Sequence, residues 1–236
     1  LPPPAPLALA VALLVALLAA CSAGATQRPT IPPDATGSVG PAASATPPAA
    51  SAASAFPLTL TDDEGTAVEL AAEPARIVSL TPATTETLFV LGVGDRVVGK
   101  VEDLSLYPPE AASIPDVAKF GEVDVEGIVG LDADLVIAGG NSFNPPDKIA
   151  QLRSLGVPVL VLYAPDVETV FSDIELTGAA VGRPAEAKDL TAAMRAEFDQ
   201  IGAATAGLDR PRVFYELDAS QKIYTAADDS FPAAMI

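Results

Sequence analysis

Histidine and tryptophan are absent from the 236 residues, cysteine occurs once, methionine twice, and only 13 Lys and Arg stand against 31 Asp and Glu, for a formal charge of −18. Each shortage excludes something. Nucleic-acid affinity comes mainly from Lys and Arg displacing counterions, so a chain this acidic is not expected to bind nucleic acid. Without His, the commonest zinc ligand and the commonest general base near neutrality are missing, which argues against a His-metal site, a Ser-His-Asp triad or a Cys-His pair within these residues. One cysteine cannot form an internal disulfide, so the fold must be held by core burial. The length suffices for one large or two small lobes.

What is present is unevenly distributed. Residues 7–20 are uninterrupted Leu, Ala and Val, the length of a signal-peptide core and short for a membrane span. The run ends in Leu18-Ala19-Ala20-Cys21, which resembles a bacterial lipobox. That resemblance implies cleavage before Cys21, acylation of this residue and membrane attachment through its lipid, several acyl chains giving the durable anchoring that one chain does not. The chain begins with Leu1, and no Lys or Arg precedes the apolar run, so residues 1–20 read as a signal peptide missing its basic start. Residues 22–55 are Ala, Pro, Ser, Thr or Gly except for Gln27, Arg28, Ile31, Asp34 and Val39. So little apolar surface cannot offset the entropy of ordering, and residues 21–55 are expected to form a disordered, lipid-anchored tether.

From Phe56 the pattern changes. Leu58 and Leu60 alternate with threonines, Asp62-Asp63-Glu64-Gly65 supplies a turn, and residues 67–70 return as a second strand. Residues 76–80 read as a buried strand, followed by Thr81-Pro82 as the cap and first turn of a helix over 83–91 that Gly92 closes. Further strands are expected at 97–101, 117–120, 135–138 and 157–163. Helices are expected at 124–131 and from Pro145 to Leu155. Such alternation implies a parallel, helix-covered sheet. Residues 166–181 read as a helix, and 185–206 as a longer one whose Leu190, Met194, Phe198 and Ile201 share a face. A strand over 212–217 follows, and the final residues look like the start of another helix. The expected division is therefore an N-terminal α/β lobe over 56–183, a connecting helix over 184–208 and, over 209–236, the beginning of an incomplete second α/β lobe.

Three strings resemble the helical-backbone class of ABC-importer substrate-binding proteins, the carriers of cobalamin, ferric siderophores and haem. They are Arg76-Ile77-Val78-Ser79-Leu80-Thr81-Pro82-Ala83-Thr84-Thr85-Glu86, Tyr107-Pro108-Pro109-Glu110, and Glu126-Gly127-Ile128-Val129-Gly130-Leu131-Asp132-Ala133-Asp134-Leu135-Val136-Ile137. The resemblance spans residues 58–236, with Ala133 where the family usually has Pro. It implies a bilobed α/β fold of periplasmic-binding-protein type, two Rossmann-like lobes joined by one long helix, with solute held between them. The implied partners are an ABC permease and its ATPase subunits, and the implied location is outside the cytoplasmic membrane.

Carried across by resemblance, Leu104, Phe120, Gly139 and Leu217 fall near cleft-lining positions of cobalamin carriers, with Tyr215 and Tyr224 as further aromatic candidates. Among these cleft positions only Phe120 is aromatic here, whereas several are aromatic in that subgroup; core or loop packing is the competing reading for each. Thr84 and Asn141 are candidate hydrogen-bonding groups that equally suit local capping. Glu126 matches the first-lobe glutamate that docks into an arginine pocket of the permease, a contact that carboxylate–guanidinium geometry makes orienting. The Thr81-Pro82-Ala83-Thr84-Thr85-Glu86 and Val213-Phe214-Tyr215-Glu216 strings resemble cobalamin carriers most. A hydroxamate or catecholate siderophore would call for Arg or Tyr, where the loops are short of Arg. A corrinoid is therefore preferred, with a ferric siderophore or haem second, and neither a resident cofactor nor a metal is expected. Two other classes stay open. A secreted hydrolase would pair acids such as Asp103, Glu122 or Asp218, and an adhesive surface lipoprotein would hold no small ligand.

Overall fold

A computed structural model describes residues 56–105, 107–227 and 230–235. The expected signal peptide, the expected tether and Cys21 lie outside the described residues. The chain opens with a hairpin of β1 (Leu58–Thr61) and β2 (Ala67–Leu70), paired antiparallel with Leu60 opposite Val68. Alternation places Val68 and Leu70 inward and Glu69 outward, as a half-buried strand requires. Asp62 sits in the turn, almost fully buried. Its Oδ1 accepts from the N–H groups of Glu64 and Thr66 at 3.1 and 2.7 Å, while Oδ2 meets Arg153 at 2.7 Å and the Val161 N–H at 3.2 Å. The buried charge is thereby paired, and the hairpin is stitched to the main sheet.

That sheet has six strands: β3 (Ile77–Ser79), β4 (Val97–Val101), β5 (Asp116–Lys119), β6 (Glu122–Val123), β7 (Leu135–Gly139) and β8 (Val159–Leu162). Their spatial order is β6-β5-β4-β3-β7-β8, parallel throughout except for the β5–β6 hairpin. The chain builds outward from β3 on one side, then returns to its other side for β7. Strand order therefore reverses between β3 and β7, and in open α/β sheets the crevice beyond the strand ends at such a switch is where ligands bind.

Both faces are covered. Ile77, Leu135, Ile137 and Leu160 belong to one core with α1 (Pro82–Val90), α4 (Val167–Ala180) and α5 (Pro184–Thr205). Alternate residues Val78, Val136, Ala138, Val159 and Val161 join a second core with α2 (Val125–Gly130) and α3 (Pro146–Ser154). Continuous burial of β7 follows from being covered twice. Helix starts and stops match the local chemistry. Thr81 caps α1 by accepting from the Thr84 N–H at 3.1 Å, Pro82 stands in the first turn, and Gly92 ends the helix with φ +74°.

The long helix packs by its expected face only as far as Phe198. Leu190 and Met194 pack on the first core, and Phe198 meets Phe171 of α4 edge to face with centroids 5.9 Å apart. Ile201 is 62% exposed. The α4–α5 crossing is close at Gly178, where a Cβ would come within 2.3 Å of the Ala187 Cβ.

Two expectations need correction. The strand expected over 212–217 is only β9 (Glu216–Asp218), because its partner β10 (Tyr224–Thr225) offers two residues with a register shift, leaving residues 212–215 without a ladder. Strand β6 has no counterpart in the sequence reading; Gly121, at φ +75°, turns the chain tightly enough for Glu122 and Val123 to pair back on β5. A short α6 (Phe231–Ala234) follows β10. Among the described residues no helix is long and apolar enough to cross a membrane.

Candidate binding edge

The carboxyl ends of the parallel strands bring together loops from distant parts of the sequence. After β3, the Ser79 hydroxyl donates to the Thr81 carbonyl at 3.0 Å and accepts from the Thr85 hydroxyl at 2.9 Å, fixing the entry to α1. After β7, the loop is shaped by two glycines. A Cβ on Gly139 would lie 2.8 Å from Thr81 Cγ2 and 3.0 Å from Phe143, and one on Gly140 would lie 3.0 Å from Tyr163 Cβ. Only glycine lets this loop settle between its neighbours. Asn141 and Ser142 then adopt φ +51° and +64°, reversing the chain. Buried Asn144 locks the reversal: its Oδ1 accepts from the Gly139 N–H at 2.7 Å and its Nδ2 donates to the Leu80 carbonyl at 3.4 Å.

On this support the loops leaving β4, β5, β7 and β8 each present a large apolar or aromatic side chain. Leu104 and Tyr107 follow β4, Phe120 follows β5, Phe143 follows β7 and Tyr163 follows β8. Leu104 is 89% and Phe120 80% exposed, while Phe143 is half-buried. Phe120 and Phe143 meet edge to face with centroids 5.7 Å apart.

Of the residues singled out from sequence, Leu104, Phe120, Gly139 and Asn141 thus share one edge, Gly139 buried and the other three exposed. Thr84 faces elsewhere, into a cavity of about 220 Å³ that it lines with Val170, Asp173 and Thr177 of α4. Tyr215, Leu217 and Tyr224 are exposed on and beside the β9–β10 hairpin, where the Thr225 hydroxyl donates to the Tyr215 carbonyl at 2.8 Å. Glu126 is exposed in the first turn of α2, whose cap is Asp124. Tyr107, Phe143, Asn144 and Tyr163 are not among the site candidates of the sequence reading; their signal is position, one to six residues beyond a strand.

Two ion pairs stand at this edge, and Glu102 and Asp103 beside them leave it acidic. Lys100 pairs with Asp116, and Lys119 with Glu122 at 3.1 Å. Hydrogen bonds from the Ser105 hydroxyl and N–H hold Asp103 below the ordinary carboxylate range. Asp218 is lowered in the same way by Ser220. No arginine stands in these loops. Asp173 behaves oppositely: burial, then the adjacent Asp63 carboxylate, pushes it up to about 7, and its Oδ1 is buried with no hydrogen-bond partner among the described residues. Among the described residues no group of three or more His, Cys, Asp or Glu converges as a metal site.

A parallel α/β sheet covered on both faces, with an apolar rim beyond its topological switch, is the class of fold in which ligands bind at the carboxyl ends of the strands. The periplasmic binding protein family model matches residues 77–236, and the chain belongs to that family. It is 35% identical over 186 residues, 77% of this chain and 59% of the relative, to the uncharacterized ABC transporter substrate-binding lipoprotein YvrC of Bacillus subtilis. It is also 35% identical over 189 residues to a cobalamin-binding protein of Halobacterium salinarum, covering 78% of this chain and 50% of the relative. Among solved structures, the periplasmic vitamin B12 binding protein BtuF of Vibrio cholerae superposes with TM-score 0.62 at 29% identity, covering 69% of this chain and 62% of that one. The heme-binding RhuT of Roseiflexus sp. RS-1 gives 0.61 at 30% identity, covering 68% and 62%. The chain therefore spans about half to three-fifths of the length of these relatives, and its fold is of the bilobed periplasmic-binding type.

Proposed function

We propose that this protein is an extracytoplasmic solute-binding lipoprotein that captures a corrinoid at the carboxyl edge of its sheet and delivers it to an ABC permease. The observation that carries this reading is the rim of Leu104, Tyr107, Phe120, Phe143 and Tyr163, raised from strands around the switch point, with no arginine among them. A broad, largely neutral chelate is recognised by such apolar contact with a few polar groups to orient it. Leu217, Tyr215 and Tyr224 then supply contacts from the other side, and Glu126 docks on the permease. The protein binds and does not transform its cargo. Asp103 and Asp218 are engaged by neighbouring serines and Glu122 by Lys119, which gives paired-carboxylate hydrolysis no support. The similarity to RhuT supports a second reading, haem as cargo.

Calorimetric titration of the intact protein with cyanocobalamin tests the proposal, with haemin and a ferric siderophore in parallel. Saturable binding of cyanocobalamin at micromolar concentration or below is expected. Saturation by haemin alone replaces the cargo, and turnover of an ester or glycoside without chelate binding overturns the carrier reading.

A further inference from the structure

A second, smaller cavity lies beside the apolar rim. It measures about 180 Å³ and is lined by Thr85, Lys100, Glu102, Asp103, Leu104, Tyr107 and Asp116, together with Pro108, Ala111 and Ala112. Its unusual member is Lys100, which is only 7% exposed although it carries an ammonium group. An ammonium has three N–H donors. One meets Asp116 and one the Val101 carbonyl at 3.3 Å, leaving the third without a protein acceptor among the described residues. The formal charge of the lining is Lys100 against Glu102, Asp103 and Asp116, that is +1 − 3 = −2. Asp103, held low by Ser105, stays ionised at neutral pH.

From this arrangement we infer that the cavity is a subsite for a neutral hydrogen-bond acceptor on an apolar arm, an amide carbonyl, and that it rejects a carboxylate in the same place. The spare Lys100 donor reaches an acceptor, Leu104 and Tyr107 enclose the arm's methylenes, and the surrounding acids repel a further negative charge. A free cation would favour the carboxylate; a lysine already neutralised by Asp116 does not. This inference rests on the corrinoid reading, since a corrinoid presents short amide-tipped arms around its ring whereas haem presents carboxylate-tipped ones. It adds to that reading the group by which one arm is recognised.

The test uses cyanocobalamin, its monocarboxylic acids (one propionamide hydrolysed to the acid) and the methyl esters of those acids, titrated into the intact protein at pH 7.5. The wild-type protein should bind at least one monoacid about tenfold more weakly than cyanocobalamin, with the corresponding ester, a neutral acceptor again, recovering most of the loss. Lys100→Met, which keeps the stem that fills the wall, should weaken cyanocobalamin by about five- to tenfold. Asp116→Asn, which frees the lysine charge, should narrow the gap between amide and acid. If cyanocobalamin binds but every monoacid binds equally well or better, the subsite is overturned while the carrier reading stands, and the ligand series decides this even should Lys100→Met fail to fold. Lys100→Met binding cyanocobalamin as tightly as wild type likewise overturns it. Failure of the wild-type protein to bind cyanocobalamin overturns both.

Discussion

Phe120 and Phe143 stand edge to face at 81° although they come from loops after different strands, β5 and β7, on opposite sides of β3. An exposed aromatic held by another is a preorganised contact surface rather than a core element. Phe120→Ala should therefore leave thermal stability within about 0.5 kcal/mol of wild type and weaken cyanocobalamin binding by about tenfold, read by calorimetry. Unchanged affinity would remove Phe120 from the binding surface.

Gly139→Ala should do the reverse and damage the support. The added methyl meets Thr81 and Phe143 at 2.8 and 3.0 Å and strains the loop that Asn144 holds, at a cost of about 1–3 kcal/mol. Urea denaturation measures it. A variant as stable as wild type would show that the loop has room to relax.

Asp173 predicts a pH dependence with a definite sign. Its folded value, about 7, exceeds its ordinary 3.8, so the folded state holds a proton that the unfolded chain releases. The stability from this group is complete below about pH 4 and is lost as pH rises to about 7. Asp173→Asn keeps the shape and removes the titration. Its melting temperature should exceed that of wild type at pH 8 by about 2–4 °C and match it near pH 4. A constant offset across this range would contradict the assignment.

Glu126→Arg should leave cyanocobalamin affinity intact and abolish uptake by permease reconstituted in vesicles, since the residue is exposed in the first turn of α2 and is not itself part of the rim. Undiminished uptake would take Glu126 out of the docking surface.

Cys21→Ser should move the protein from the membrane fraction to the soluble one when cells are fractionated. Retention in the membrane would exclude Cys21 as the anchor.

The lobe was largely legible from residue order because its signals are local. Thr81-Pro82 announces a helix start, β-branched runs announce buried strands, and the spacing of Leu190, Met194 and Phe198 announces a packed face that Ile201, exposed at the helix's far end, does not join. The site was legible only as a set of loops. Nothing local says that Phe143 will return to Phe120, since that depends on Asn141 and Ser142 taking left-handed backbone and on Asn144 reaching Leu80 across the sheet. Nor does the chain order bring Asp63 beside Asp173; only the hairpin packed near α4 does so. The strand expected over 212–217 shows the opposite error. Val213, Phe214 and Tyr215 have strand character, but a strand needs a neighbour to bond, and β10 is too short to serve all of it.

At Gly178 the backbone of α4 lies so near Ala187 of α5 that no methyl fits between them. The root of the long helix is thereby seated directly on α4, and Arg195, lying 4.2 Å over the Phe171 ring about two turns further on, adds a second contact along the same crossing.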